Sequence, residues 1–242
     1  MGATRLILIE GMIGSGKTAT AVRVGDWLAS RGENARVFCE GAADHPIRTK
    51  AEDRLRAAAD PRPSAVPGSA AEVSPRAYAA DQWRRLAEHV LRGRQTVILE
   101  SSFLQNSVMP AFIEGAPSRA VNQIFTRIVR QAAPAEPLLV YLRPADIGAA
   151  IARVHRVRGE PWSSGNLAFV ESSTWARRRG LHGQDAVVRL YQAWEPVVTR
   201  LYSRYPFPKI TVTDPQHDWP EALARVCAAV RPNLRAHLTS PS

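Results

Sequence analysis

The sequence predicts a three-layer α/β/α domain built on a five-stranded parallel sheet, and three observations carry that prediction. Short apolar runs alternate with longer stretches of helical period along the 242 residues. The first run ends in a glycine-rich turn that opens an amphipathic segment, which is a strand–turn–helix order. Hydrophobic residues make up 45% of the chain, enough for one real core, whereas two domains would each be small. Strands joined through helices form parallel sheets covered on both faces by right-handed crossovers.

The strands are expected at 5–10 (RLILIE), 35–40 (ARVFCE), 96–100 (TVILE), 138–142 (LLVYL) and 209–213 (KITVT). Helices are expected at 17–30, 75–92, 118–132, 145–158, 183–204 and 217–230. In the first helix Ala21, Val22, Gly25, Leu28 and Ala29 fall on one face, and Gly32 follows as a stop. Along 183–204, Val187, Leu190, Tyr191, Trp194, Val198, Leu201 and Tyr202 recur at helical spacing, the mark of a core stripe. The segment 59–75, rich in Pro, Ser and Gly, reads as a flexible connection within one domain. The tail after Arg231 is expected to fray.

Composition narrows the class. No run approaches the roughly 18 apolar residues of a membrane-spanning helix, and the N-terminus lacks signal-peptide anatomy. Leu6 stands where a myristoylation site needs Ser or Thr. Cys39 and Cys227 are too far apart in sequence to suggest a disulfide framework or a metal site. These features point to a cytoplasmic protein in a reducing environment with no membrane partner. The formal charge of +10 and the pI near 10.5 favour anionic partners, although abundant Arg on solvated helix faces gives the same balance.

The turn after the first strand carries the chemistry. Gly11-Met12-Ile13-Gly14-Ser15-Gly16-Lys17-Thr18 satisfies G-x-x-x-x-G-K-[ST], in the strand–loop–helix setting the pattern requires. Backbone N–H groups of such a loop, through Ala19 in the first helical turn, point at phosphate oxygens, and the helix dipole favours the negative charge. Lys17 is expected to reach the outer phosphates and the Thr18 hydroxyl to ligate Mg²⁺, with ATP as the nucleotide. Lys17 is also expected on a surface loop outside the core. No Asn-Lys-x-Asp guanine reader is present, and no apolar strand ends in Asp; the nearest metal-supporting carboxylate is Glu100, ending TVILE.

With Glu10 directly before the loop, IEGMIGSGKT resembles the opening of the deoxynucleoside kinase and thymidylate kinase group of P-loop kinases. In that group the second strand ends in an acidic residue, the third in a Glu-Arg-Ser or Asp-Arg motif, and a mobile lid carries arginines. The parallels are Glu40 in RVFCEGAADHP, Glu100 in ILESSF, and Arg153, Arg156 and Arg158 in RVHRVRGEPW. The resemblance implies a P-loop NTPase fold over 1–242 as a single kinase domain, with an acceptor-binding helical region about 44–95 and a helical lid about 153–182. It implies Glu40 as the acceptor's base and Glu100 as metal support or acceptor contact. Asp44, His45, Trp83, Ser101 and Phe103 are the further acceptor candidates, the two aromatics by stacking on a planar molecule. Arg177–Arg179 in WARRRG competes for the lid role, and Thr213 and Asp214 are placed near an adenine. Ser101 stands where the relatives have Arg, so the acceptor departs from theirs.

The reading that follows is an ATP-dependent small-molecule kinase acting on a hydroxyl or phosphate of a nucleoside-like or natural-product acceptor. The alternatives are a polynucleotide-end kinase or nucleotide-dependent nucleic-acid-binding protein, favoured only by charge, and a protein that hydrolyses or senses ATP. The oligomeric state, a homodimer among the options, is left open by the sequence.

Overall fold

The computed structural model describes residues 3–47 and 75–230. The expected connection at 59–74, most of the first half of the 44–95 region, and the tail from 231 lie outside the described residues.

The elements run β1 (Leu6–Gly11), α1 (Lys17–Ala29), β2 (Ala35–Phe38), α2 (Pro75–Arg92), β3 (Thr96–Glu100), a π-helical turn (Leu104–Val108), α3 (Met109–Ile113), α4 (Ser118–Ala132), a 3-10 turn (Ala133–Ala135), β4 (Leu138–Arg143), α5 (Ile147–Arg158), α6 (Trp162–Glu171), α7 (Thr174–Arg177), α8 (Gly183–Ser203), β5 (Lys209–Thr213) and α9 (Trp219–Ala229). All strand pairings are parallel, in the order β2-β3-β1-β4-β5. With the glycine-rich loop leaving the central strand β1 and entering α1, this is a P-loop NTPase fold.

Alternation along β1 divides the core in two. Leu6 and Leu8 face a large cluster built with α2, α4 and α8, while Ile7 and Ile9 face a smaller one with Ala21, Val24 and Leu28 of α1 and Val226 of α9. A sheet with apolar residues on both faces needs a helical layer on each, which gives the three layers. The α8 stripe is buried as its spacing requires, apart from Tyr202 at its edge, which is partly exposed.

The structure corrects the face of α1. Val22 and Ala29 are exposed, and the buried residues are Lys17, Thr20, Ala21, Val24, Gly25 and Leu28. Gly25 is needed there: a Cβ would lie 2.5 Å from Val37 Cγ2, so α1 packs on β2 only without a side chain at that point. β2 stops at Phe38, two residues short of expectation, which leaves Cys39 and Glu40 in the loop beyond the sheet. Three further helices that periodicity did not resolve are α3, between β3 and α4, and α6 and α7, between α5 and α8. Among the described residues no helix is long and apolar enough to cross a membrane, and both cysteines are free.

Candidate functional site

The site is assembled where β1 and β3 end. Gly14 and Gly16 take φ of 71° and 87°, left-handed conformations open to glycine, and so curl the chain back into α1. Their packing is as demanding as their dihedrals. A Cβ on Gly14 would lie 2.6 Å from the Ala150 carbonyl of α5, and one on Gly16 would lie 2.6 Å from the Trp219 ring. Within the loop Ser15 N–H donates to Met12 O (3.2 Å). The N–H groups opening α1 have no carbonyl one turn earlier to receive them, so they remain directed outward as a helix N-terminus demands.

Lys17, expected on an exposed loop, is instead buried as the first residue of α1. Its ammonium donates to Met12 O (3.0 Å), and the charges of Glu100, Glu40 and Glu10 act on it. Burial pushes its pKa down, and those three negative charges oppose the fall.

The carboxylates are held by different means. Glu10 is fully buried at the end of β1, where its two oxygens accept the N–H groups of Phe103 (2.6 Å) and Gln105 (3.1 Å). Burial raises its pKa from the usual 4.5 to about 7, against the pull of those two amides and of Lys17. Glu100 ends β3; one oxygen accepts the Glu40 N–H (2.8 Å) and the other the Ser101 hydroxyl (2.7 Å). Glu40 lies at the solvent side, within reach of Gln105 Nε2 (3.3 Å). Desolvation by the surrounding walls, with the Glu100 charge second, raises its pKa, while Lys17, Asn106 and Arg158 hold it down.

These groups share one cleft of about 1200 Å³ that runs from the glycine loop past both carboxylates to α6 and α8. Of the expected nucleotide-binding residues, Ile13, Gly14, Gly16, Lys17, Thr18 and Ala19 line it. Gly11, Met12 and Ser15 form the loop's inner wall: Met12 is core, and Ser15 Oγ is buried without a partner among the described residues. Arg153 and Arg158 enter the cleft from α5. The Arg153 guanidinium donates to Gly14 O (3.3 Å), and Arg158 stacks on the Trp162 ring.

Several candidates lie elsewhere. Arg156 is exposed and outside the cleft lining. Arg178 and Arg179 of the rival cluster line a separate hollow, where Arg179 stacks on Trp175. Trp83 and Phe103 are core, not stacking platforms: they are almost wholly buried, ring to ring at 5.7 Å, with Phe125 and Tyr205 also against Phe103. Asp44 pairs with Arg36, and His45 is buried with Nε2 2.9 Å from Ser102 Oγ, both on a different hollow behind β2. Ser101, in a left-handed conformation (φ 60°), is fully buried and its hydroxyl is bound to Glu100. Asp214 accepts the Ala145 N–H, and neither it nor Thr213 lines the cleft. The described part of the 44–95 region, α2, contributes no lining residue.

Sequence reasoning missed Gln105, Asn106, Tyr191, Gln216 and Trp219, all of which line the cleft. Two adjacent amides inside the apolar run SSFLQNSVMP, five residues past an acidic strand end, were the available signal for the first pair. Tyr191 was hidden by its place in a genuine core stripe. Gln216 donates to Gly14 O, and Arg23 lies over the outer face of Trp219.

A divalent cation fits the donor set. Thr18 is exposed in the cleft, and Glu40 and Glu100 add hard carboxylate oxygens. Among the described residues no group of three or more His, Cys, Asp or Glu forms a cage. A few oxygens beside an anionic ligand is the arrangement Mg²⁺ favours.

No protein-family model matches the chain, and no curated protein sequence matches it. Solved structures similar to it include the following two. The crystal structure of APE1195 is 15% identical, covering 94% of this chain and 95% of that one, with a TM-score of 0.46. The YorR protein of Bacillus subtilis, in complex with phosphorylated GDP, is 15% identical, covering 91% of this chain and 92% of that one, with a TM-score of 0.44.

Proposed function

We propose that the protein is a P-loop phosphotransferase that moves the γ-phosphate of ATP onto a hydroxyl or phosphate of a small-molecule acceptor. The observation that carries this reading is one cleft in which a glycine loop with Lys17 faces two carboxylates, Glu40 and Glu100, under two arginines from α5.

Each part has work to do in that reaction. Loop N–H groups and Lys17 hold the nucleotide's outer phosphates, and Thr18 with Glu100 or Glu40 would hold Mg²⁺, which supplies charge neutralisation when bound. Glu40 is the better base of the two: Glu100 already accepts two hydrogen bonds, while desolvation leaves Glu40 more basic than an ordinary carboxylate. Arg158, within electrostatic reach of both Lys17 and Glu40, sits where charge builds as the phosphoryl group crosses. Arg153 supports the loop beside it, and α5 and α6 together act as the lid that keeps water from competing.

The test is ADP release from ATP and Mg²⁺ across a panel of nucleosides, nucleotides, natural products and oligonucleotides, with Lys17→Ala as the control. Acceptor-dependent release that the variant lacks supports the reading. Release at the same rate with and without every acceptor would make the protein a hydrolase, and stimulation by oligonucleotides alone would move it to nucleic-acid ends.

A further inference from the structure

Resting on the phosphotransferase reading, we infer that the acceptor is an uncharged alcohol with a bulky aromatic or branched aliphatic body, and not a nucleoside monophosphate. The sheet order separates the two ligands. β4 and β5 lie on one side of β1 and bring Gln216 and Trp219 to the loop, so the nucleotide's base lies there. β3 and β2 lie on the other side and bring Glu100 and Glu40, so the acceptor enters from that side.

Among the described residues the wall beyond those carboxylates is mostly apolar, with Asn106 and Asn166 among its amides. Met109 and Ile113 of α3, Trp162, Phe169 and Val170 of α6, and Tyr191 of α8 line it. Tyr191 lines the same cleft as Glu40, and burial, with the Glu40 charge second, pushes its phenol pKa up. Val157 and Phe169, at the cleft's rim, are 79% and 58% exposed, whereas Phe103, Phe125 and the Val residues of the core are nearly closed to water. Large apolar side chains held open on a concave wall gain most when an apolar ligand covers them.

Charge argues in the same direction. Of the cleft's described cations, Lys17 and Arg153 contact the loop, where the triphosphate needs them, and Arg158 stacks on Trp162 at the end of α5. Glu40 and Glu100 stand at the acceptor end, where a second phosphate would meet repulsion and a neutral hydroxyl would meet hydrogen-bond acceptors. Gln105 Oε1, buried without a partner among the described residues, offers one further acceptor to a donor group on the ligand.

The test is isothermal titration of the full chain, loaded with ADP and Mg²⁺, with naphthylethanol, thymidine and thymidine monophosphate as probes. Naphthylethanol is expected to bind most tightly, and Phe169→Ser, an exposed position whose change spares the core, is expected to weaken it about tenfold. Tighter binding of thymidine or its monophosphate, or an unchanged naphthylethanol affinity in Phe169→Ser, overturns the inference. ADP–Mg²⁺ affinity of the wild-type protein is read in the same series. Its absence removes the phosphotransferase reading itself, whereas intact ADP binding without naphthylethanol uptake removes only the acceptor class.

Discussion

Glu10 makes the protein's stability depend on pH in an unusual direction. Its carboxyl titrates near 7 in the fold and near the ordinary 4.5 once unfolded. Between those values the folded state binds more protons than the unfolded one, so unfolding free energy falls as pH rises. Two and a half units correspond to about 3.4 kcal/mol in all, of which about 2.5 kcal/mol is lost between about pH 5 and about pH 8. Urea unfolding at both pH values, in the wild-type protein and in Glu10→Gln, isolates the effect. The glutamine has the shape of the protonated acid and cannot ionise, so the variant is expected to match the wild type near pH 5 and to exceed it near pH 8. Parallel stability of the two proteins across this window would refute the reasoning, because it would mean that Glu10 has the same pKa folded and unfolded.

Further outcomes follow from the site. Lys17→Ala should abolish phosphoryl transfer without lowering the stability read by urea unfolding, because burial already disfavours the ammonium's charge; a large loss of stability would show that the buried ammonium holds the fold together. Glu40→Gln should cut turnover by about 10²-fold or more while ADP affinity, read by titration, stays the same. An unchanged rate would move the base role to Glu100. Gly14→Ala asks a left-handed, fully packed position to accept a Cβ 2.6 Å from Ala150 O, so ADP affinity should fall about tenfold or more. Near-normal affinity in that variant would show that the loop does not need its present curl to hold a nucleotide.

The legible part of this protein was what local pattern controls. Strand alternation and helical spacing found the strands, the long helices and the two-faced core, and the glycine loop announced itself by spacing. Glu40 and Glu100 were expected near the cleft because ligands meet such a sheet at its strand ends, and both line it, Glu40 from the loop beyond β2. What stayed hidden depended on direction and distance. Trp83 and Phe103 have the chemistry of a stacking pair, but whether a ring faces a cleft or the core is decided by neighbours 20 to 100 positions away, here Phe125 and Tyr205. Arg156 was indistinguishable from Arg153 and Arg158 as a residue type; only the rotation of α5 against the loop separates them. Glu10 sits in plain view before the loop, yet its grip on the Phe103 and Gln105 amides needs the β1–β3 register to be known.

The Gly14 carbonyl has two donors, Arg153 from ahead of the lid and Gln216 from beyond β5. Those side chains come from the segments after β4 and after β5 and meet on a single atom. Arg153 must also let go of that oxygen before it can turn toward anything else. One loop carbonyl thus ties α5 to the turn between β5 and α9.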